Sequence, residues 1–107
     1  MSEFDNREEG FEKRFAVDEE LAFKALARRN KLIGLWLAGE LGLAAAEAKP
    51  YAEALVAAQV GAADADGLFK EAQARLAKAG VDISDHRLRR RIEEAAEQAR
   101  AEIMAGR

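Results

Sequence analysis

Apolar residues recur along this chain at three- and four-residue intervals and nowhere alternate with polar ones. β-Branched residues are sparse. The spacing predicts helices and no strands. A first helix is predicted over 18–41, with Asp18 as its cap and Glu19 and Glu20 at the positive end of its dipole. Gly39 and Gly42 mark its end. Leu32, Ile33, Leu35, Trp36 and Leu37 make its C-terminal half apolar on several sides. A second helix is predicted over 46–60. Pro50 belongs in its first turn, so the start shifts toward Lys49. Tyr51, Leu55 and Ala58 share a face, Val56 and Val60 flank it, and Gly61 ends it. A third is predicted over 65–79, opened by Asp64 or Asp66 and striped by Leu68, Phe69, Ala72 and Leu76, with Gly80 as its C-terminal cap and Val81 as the apolar partner of that turn. The fourth, over 85–105, has the clearest start. Ser84 is its N-cap, and Ile83 and Leu88 form a hydrophobic staple across it. Leu88, Ile92, Ala95, Ala99 and Ile103 line one face. Short loops joining four such helices describe an all-α fold, a small up-and-down bundle over 18–107.

The segment 1–17 precedes that bundle and is predicted to be flexible or partly helical. It is mostly charged, yet Phe4, Phe11 and Phe15 punctuate it. Phe4, Phe11, Phe15, Ala22, Leu26, Ile33 and Leu37 are separated by steps of 7, 4, 7, 4, 7 and 4. That 11-residue period is close to one face of a single helix. A helix over 4–37 would be about 50 Å long and would overhang a bundle of this size. Gly10 and the Val17–Asp18 region offer break points. Two uses of the rings fit the pattern. Phe11 and Phe15 could cover the bundle's end and leave Phe4 unpacked. Alternatively, the segment completes a helix in a partner's groove and buries its rings there.

Composition narrows the chemistry. The chain has 107 residues, about one domain, and half of them are apolar, with alanine foremost. It holds no cysteine, which excludes disulfides and thiolate chemistry. The acidic start does not read as a signal peptide, and the run LIGLWLAGELGLAAAEA is too interrupted for a membrane span. A cytoplasmic, monomeric protein is the expectation. The net charge of −3 argues against general nucleic-acid affinity. Charge is uneven, though. Residues 1–20 carry eight acids against three bases, and two basic clusters follow: Arg28, Arg29 and Lys31, then Arg87, Arg89, Arg90 and Arg91.

No constellation for catalysis is found, so the chain is not expected to be an enzyme. His86 is the sole histidine and is expected exposed in the first turn of the last helix. Ser84 near it is accounted for as a cap. Glycines form no phosphate loop, and Asp64, Asp66 and Glu71 are spaced poorly for calcium. Asp82 and Asp85 should stabilise the turn around Ser84, and Trp36 should be core. The run HRLRRRIEE reads first as a solvated face, with Arg89 and Arg90 paired to Glu93 and Glu94. Near a helix start, arginines do not complement the dipole, which leaves an anion or partner contact open.

The stretch FDNREEGFEKRFAVDEELAFKALARRNKLIGLW resembles the zeta subunit of alphaproteobacterial F1-ATPase. The resemblance rests on Phe4-Asp5, Arg7-Glu8, Phe15, Asp18 to Leu21, Phe23-Lys24, Ala27-Arg28-Arg29-Asn30, Leu32, Gly34 and Trp36. ISDHRLRRRIEE is similar to the start of that family's last helix. The likeness covers nearly the whole chain and is weakest between Leu43 and Lys70. It implies a four-helix fold and a regulatory role like that of the mitochondrial ATPase inhibitor protein. The N-terminal segment would enter the interface of the alpha and beta subunits near gamma, become helical there and block rotation in the hydrolysis direction. Carried over, Phe4, Asp5, Arg7, Glu8 and Phe15 would contact the ATPase, and Phe11 joins them in the stripe. The resemblance also implies adenine nucleotide (ATP or ADP) binding on the bundle, with no cofactor required and no motif to locate a site beyond the arginines of helix four. A nucleotide-sensing bundle or adaptor without strong inhibition is the alternative function.

Overall fold

A computed structural model describes residues 2–59 and 65–106, with side chains for 18–59 and 65–106. Four helices follow in order: α1 over Ser2–Glu40, α2 over Ala45–Ala58, α3 over Ala65–Lys78 and α4 over Asp85–Ala105. Among the described residues there is no strand. The N-terminal segment is therefore continuous with the first helix. Asp18 does not cap it but lies inside α1. The reason is the shared 11-residue period, which keeps positions 4 to 37 in one helical register with no residue between them forcing a break.

α1 is the spine. It packs against α2 on one side and α4 on another, and α3 rests chiefly on α4. Ile33 and Leu37 are fully buried and meet Leu55 of α2, Leu68, Phe69, Ala72 and Leu76 of α3, and Leu88, Ile92 and Ala95 of α4 in one core. Trp36 packs against the edge of this core, as expected. The whole is long, 65 × 28 × 21 Å, with a radius of gyration of 17.5 Å. A compact chain of this length would have about 13 Å.

Local chemistry explains most boundaries. The Ser84 hydroxyl accepts the Arg87 backbone N–H at 3.2 Å, and Ile83 and Leu88 both reach the core. α3 ends in a Schellman turn: Val81 N–H donates to the Leu76 carbonyl at 2.9 Å and Gly80 N–H to Ala77 at 3.1 Å, with Gly80 at φ 73°. Leu43 and Gly42 repeat the arrangement after α1, donating to Ala38 and Gly39. α2 departs from expectation. It starts at Ala45, with Ala44 as a cap that makes no side-chain bond, so Pro50 sits beyond the first turn. There its ring denies an N–H to the Ala46 carbonyl, and packing of Ala52 and Leu55 against α1 and the core outweighs that loss. Val60, Gly61 and Asp64 lie outside the described residues.

α1 and α2 approach each other closely at Gly34. A Cβ built there would stand 2.7 Å from the Ala52 Cα and 2.9 Å from its Cβ. Glycine is required because a neighbouring backbone occupies the space a methyl would take.

Candidate partner-binding site

Burial falls steadily along the stripe of α1. Leu37 and Ile33 are buried, Leu26 is half-buried and Ala22 is exposed. The bundle thus releases the helix at about Leu26. The backbones of Phe4, Asp5, Arg7, Glu8, Phe11 and Phe15 lie farther along the same helix, in the arm, and their side chains lie outside the described residues. Gly10 falls within the unbroken helix.

Where α1 leaves the bundle, it is flanked by two grooves. The first, of 370 Å³, runs between α1 and the C-terminal turns of α4. Leu21, Ala25 and Leu26 face Ala96, Ile103 and Met104 across it, and Arg29 and Arg100 edge it. The second, of 500 Å³, lies between α1 and α2, with Phe23, Val56 and Ile103 as its apolar lining and Lys24, Arg28 and Lys31 as its cations. Phe23 is 58% exposed and Met104 53%, unusual for residues of their size.

Cations of the first basic cluster are fixed in this region. Arg28 Nε donates to Glu102 Oε2 at 2.5 Å, which ties α1 to the last turns of α4. Gln98 donates to the other oxygen of Glu102 at 3.1 Å. The bond from Arg28, then that from Gln98, holds the Glu102 carboxyl below its ordinary range. Arg29 is only 4% exposed and Asn30 3%, and Arg29 Nε and Nη2 donate to Asn30 Oδ1 at 3.2 and 3.1 Å. Their burial was not foreseen. The signal was available, because Asn30 precedes Ile33 by three residues and Leu37 by seven, which puts it on the core face.

The arginines of α4 are largely engaged elsewhere. Arg89 pairs with Asp66 at 3.0 Å instead of Glu93, and its guanidinium lies 3.9 Å from the centre of the Phe69 ring. Arg90 pairs with Glu94, as the spacing suggested, and Arg91 reaches Glu94 at 3.6 Å and stands 5.8 Å over Trp36. Asp85 accepts from Gln73 at 2.9 Å and so links α3 to the first turn of α4. His86 is exposed. Among the described residues there is no cluster of metal-ligating side chains, and no helix is long and apolar enough to cross a membrane.

α1 thus continues beyond the bundle core, and the apolar register of its arm is carried in the sequence. The sequence profile of ATPase inhibitor subunit zeta matches residues 1–102, the arm together with the bundle. The chain belongs to the ATPase inhibitor subunit zeta family. No curated protein matches it closely enough to add a relative. Membership places this zeta chain among regulatory proteins that associate with an ATPase.

Proposed function

We propose that this zeta chain restrains ATP hydrolysis by F1-ATPase, with the arm of α1 inserted as a helix at the interface of the alpha and beta subunits near gamma, where it blocks rotation. The observation that carries the reading is the unbroken α1, which runs from Ser2 into the bundle core. Such an arm meets its target already helical, so less ordering entropy opposes binding than for a segment that folds on contact. Phe4, Phe11 and Phe15 would supply buried apolar area in the cleft, and Asp5, Arg7 and Glu8 would pair with charges on its walls. Three buried rings are worth on the order of 5–9 kcal/mol before the costs of association. The bundle adds a second contact and raises the arm's effective concentration.

Deletion of residues 1–14 tests it. The truncated chain is expected to keep its far-ultraviolet circular dichroism per residue and its cooperative melt, and to lose inhibition of F1 ATP hydrolysis. Undiminished inhibition by the truncated chain refutes the proposal.

A further inference from the structure

The start of α4 breaks a local rule. Ser84 caps the helix by accepting the Arg87 backbone N–H. Three residues after such a cap, a glutamate would complete a capping box and suit the positive end of the dipole. An arginine stands there instead. It is exposed, and its guanidinium makes no ion pair or hydrogen bond with a described residue. A residue set against its local preference marks a place with another use. Arg87, Arg90 and Arg91 share one face of α4 and, with Trp36 and Glu94, line a hollow of 310 Å³. Glu94 is the only acid among these lining residues. It lies 3.4 Å from Arg90 and 3.6 Å from Arg91, longer than the about 2.8 Å of a direct charge-assisted bond. Three guanidinium groups thus share one loosely held carboxylate. By contrast, Arg28, Arg75 and Arg89 each hold a carboxylate more closely, at 2.5, 2.8 and 3.0 Å. Asp82 and Asp85 lie on the α3 side of the turn. Glu40, one helical turn past Trp36, makes no ion pair with a described residue.

From this we infer that the hollow receives an acidic segment of a partner protein, with a carboxylate of that segment seated between Arg87 and the pair Arg90 and Arg91. Glu94 follows Arg90 by four residues and Arg91 by three, and Arg87 precedes Arg91 by four and Arg90 by three. The pair is therefore flanked by an acid on one side and by a third cation on the other, where a guest carboxylate completes the pattern. The planar fork of arginine matches a carboxylate, and Glu94 shows that the pair takes one. The lining also favours a protein over a phosphate group. Arginine and tryptophan are enriched where protein surfaces meet. A phosphate cradle is built from glycines and free backbone N–H groups. Here the lining holds no glycine, and the N–H groups of Arg87 and Leu88 are taken by the Ser84 hydroxyl and carbonyl. Trp36, half-buried, offers a flat wall to an apolar side chain beside the carboxylate. This surface is separate from the arm, since Trp36 lies about 15 Å along α1 from Leu26, where the bundle releases the helix.

The test needs no ATPase, so its outcome is independent of the function proposed above. The probe is a synthetic hexapeptide of alternating aspartate and glutamate, blocked at both ends, titrated into the full-length chain at low ionic strength. Trp36 is the only tryptophan, so its fluorescence and its indole N–H report on the hollow directly. Saturable binding is expected, with shifts at the Trp36 indole and at the backbone amides of 87–91, and with affinity falling several-fold on going to about 0.15 M salt. Arg87→Glu is expected to weaken binding at least about tenfold. That variant completes the capping box and should raise stability, so its loss of binding does not report unfolding. Lys70→Glu makes the same change of charge on α3 and is expected to leave affinity within about twofold. Absence of binding at low salt overturns the inference, as does binding that survives Arg87→Glu or falls equally with Lys70→Glu. Displacement of the peptide by an equal concentration of inorganic phosphate or ATP overturns it too, and assigns the hollow to a phosphate ligand.

Discussion

The two ends of α1 share one repeat and one helix yet meet different surroundings. At the C-terminal end, Ile33 and Leu37 are sealed by three other helices. Toward the N-terminus, Leu26 is half-buried and Ala22 exposed, and the helix continues to Ser2. The difference teaches that an apolar period specifies a face without specifying what covers it. In the C-terminal half the cover is the chain's own bundle, and burial there is turned into folding stability. Under the proposed function the stripe of the arm is covered by another molecule, and burial there would be turned into affinity.

The largest expected effect separates the two ends directly. Leu37→Ala should cost about 2–5 kcal/mol of unfolding free energy, whereas Ala22→Ser, on the same face, should stay within about 0.5 kcal/mol. Urea denaturation of both variants measures this, and similar losses would erase the distinction. Gly34→Ala comes next. Alanine is the better helix former by about 1 kcal/mol, but its methyl would run into the Ala52 backbone. A net loss of about 1–3 kcal/mol is expected, and a gain would show that α1 and α2 approach less closely than described.

Smaller effects sharpen the picture on the bundle side. Ser84→Ala removes the side-chain acceptor for the Arg87 N–H and should lower stability by about 1 kcal/mol with inhibition unchanged. The smallest effect concerns Glu102. Its folded carboxyl is held below the ordinary value by Arg28 and Gln98, so it favours the folded state while ionised. That contribution is present above the ordinary carboxylate pKa and is lost as pH falls through the lowered one. Glu102→Gln should therefore flatten the acid limb of stability against pH slightly, because the pair is exposed to solvent. A steeper limb in the variant would contradict the assignment.

What the sequence made legible follows from how local each cause is. Ser84, Ile83 and Leu88 are neighbours, and so are Gly80 and Val81, so capping chemistry alone placed the C-terminal end of α3 and the start of α4. Asp18 misled for the same reason. An aspartate before two glutamates has the composition of a cap, but a helix already running through it has no use for one. Pro50 misled because its position is decided by distant packing of α2 on α1 at Ala52 and Gly34, which no nearby residue announces. Arg89 passed over Glu93 for Asp66 and Phe69, a choice set by where α3 lies. For the candidate site, the stripe and the charge of the arm were readable, since both are periodic. The grooves were not, because Ile103 and Met104 come to α1 from the far end of the chain.

The most direct test of the division between the two ends is a full-length chain with Phe4, Phe11 and Phe15 all changed to serine, titrated into F1-ATPase while ATP hydrolysis is followed. The expected result is a protein whose denaturation midpoint matches that of the unaltered chain and whose inhibition is gone. Inhibition retained at the original concentrations, or a bundle that unfolds when only the arm's rings are lost, would contradict the account.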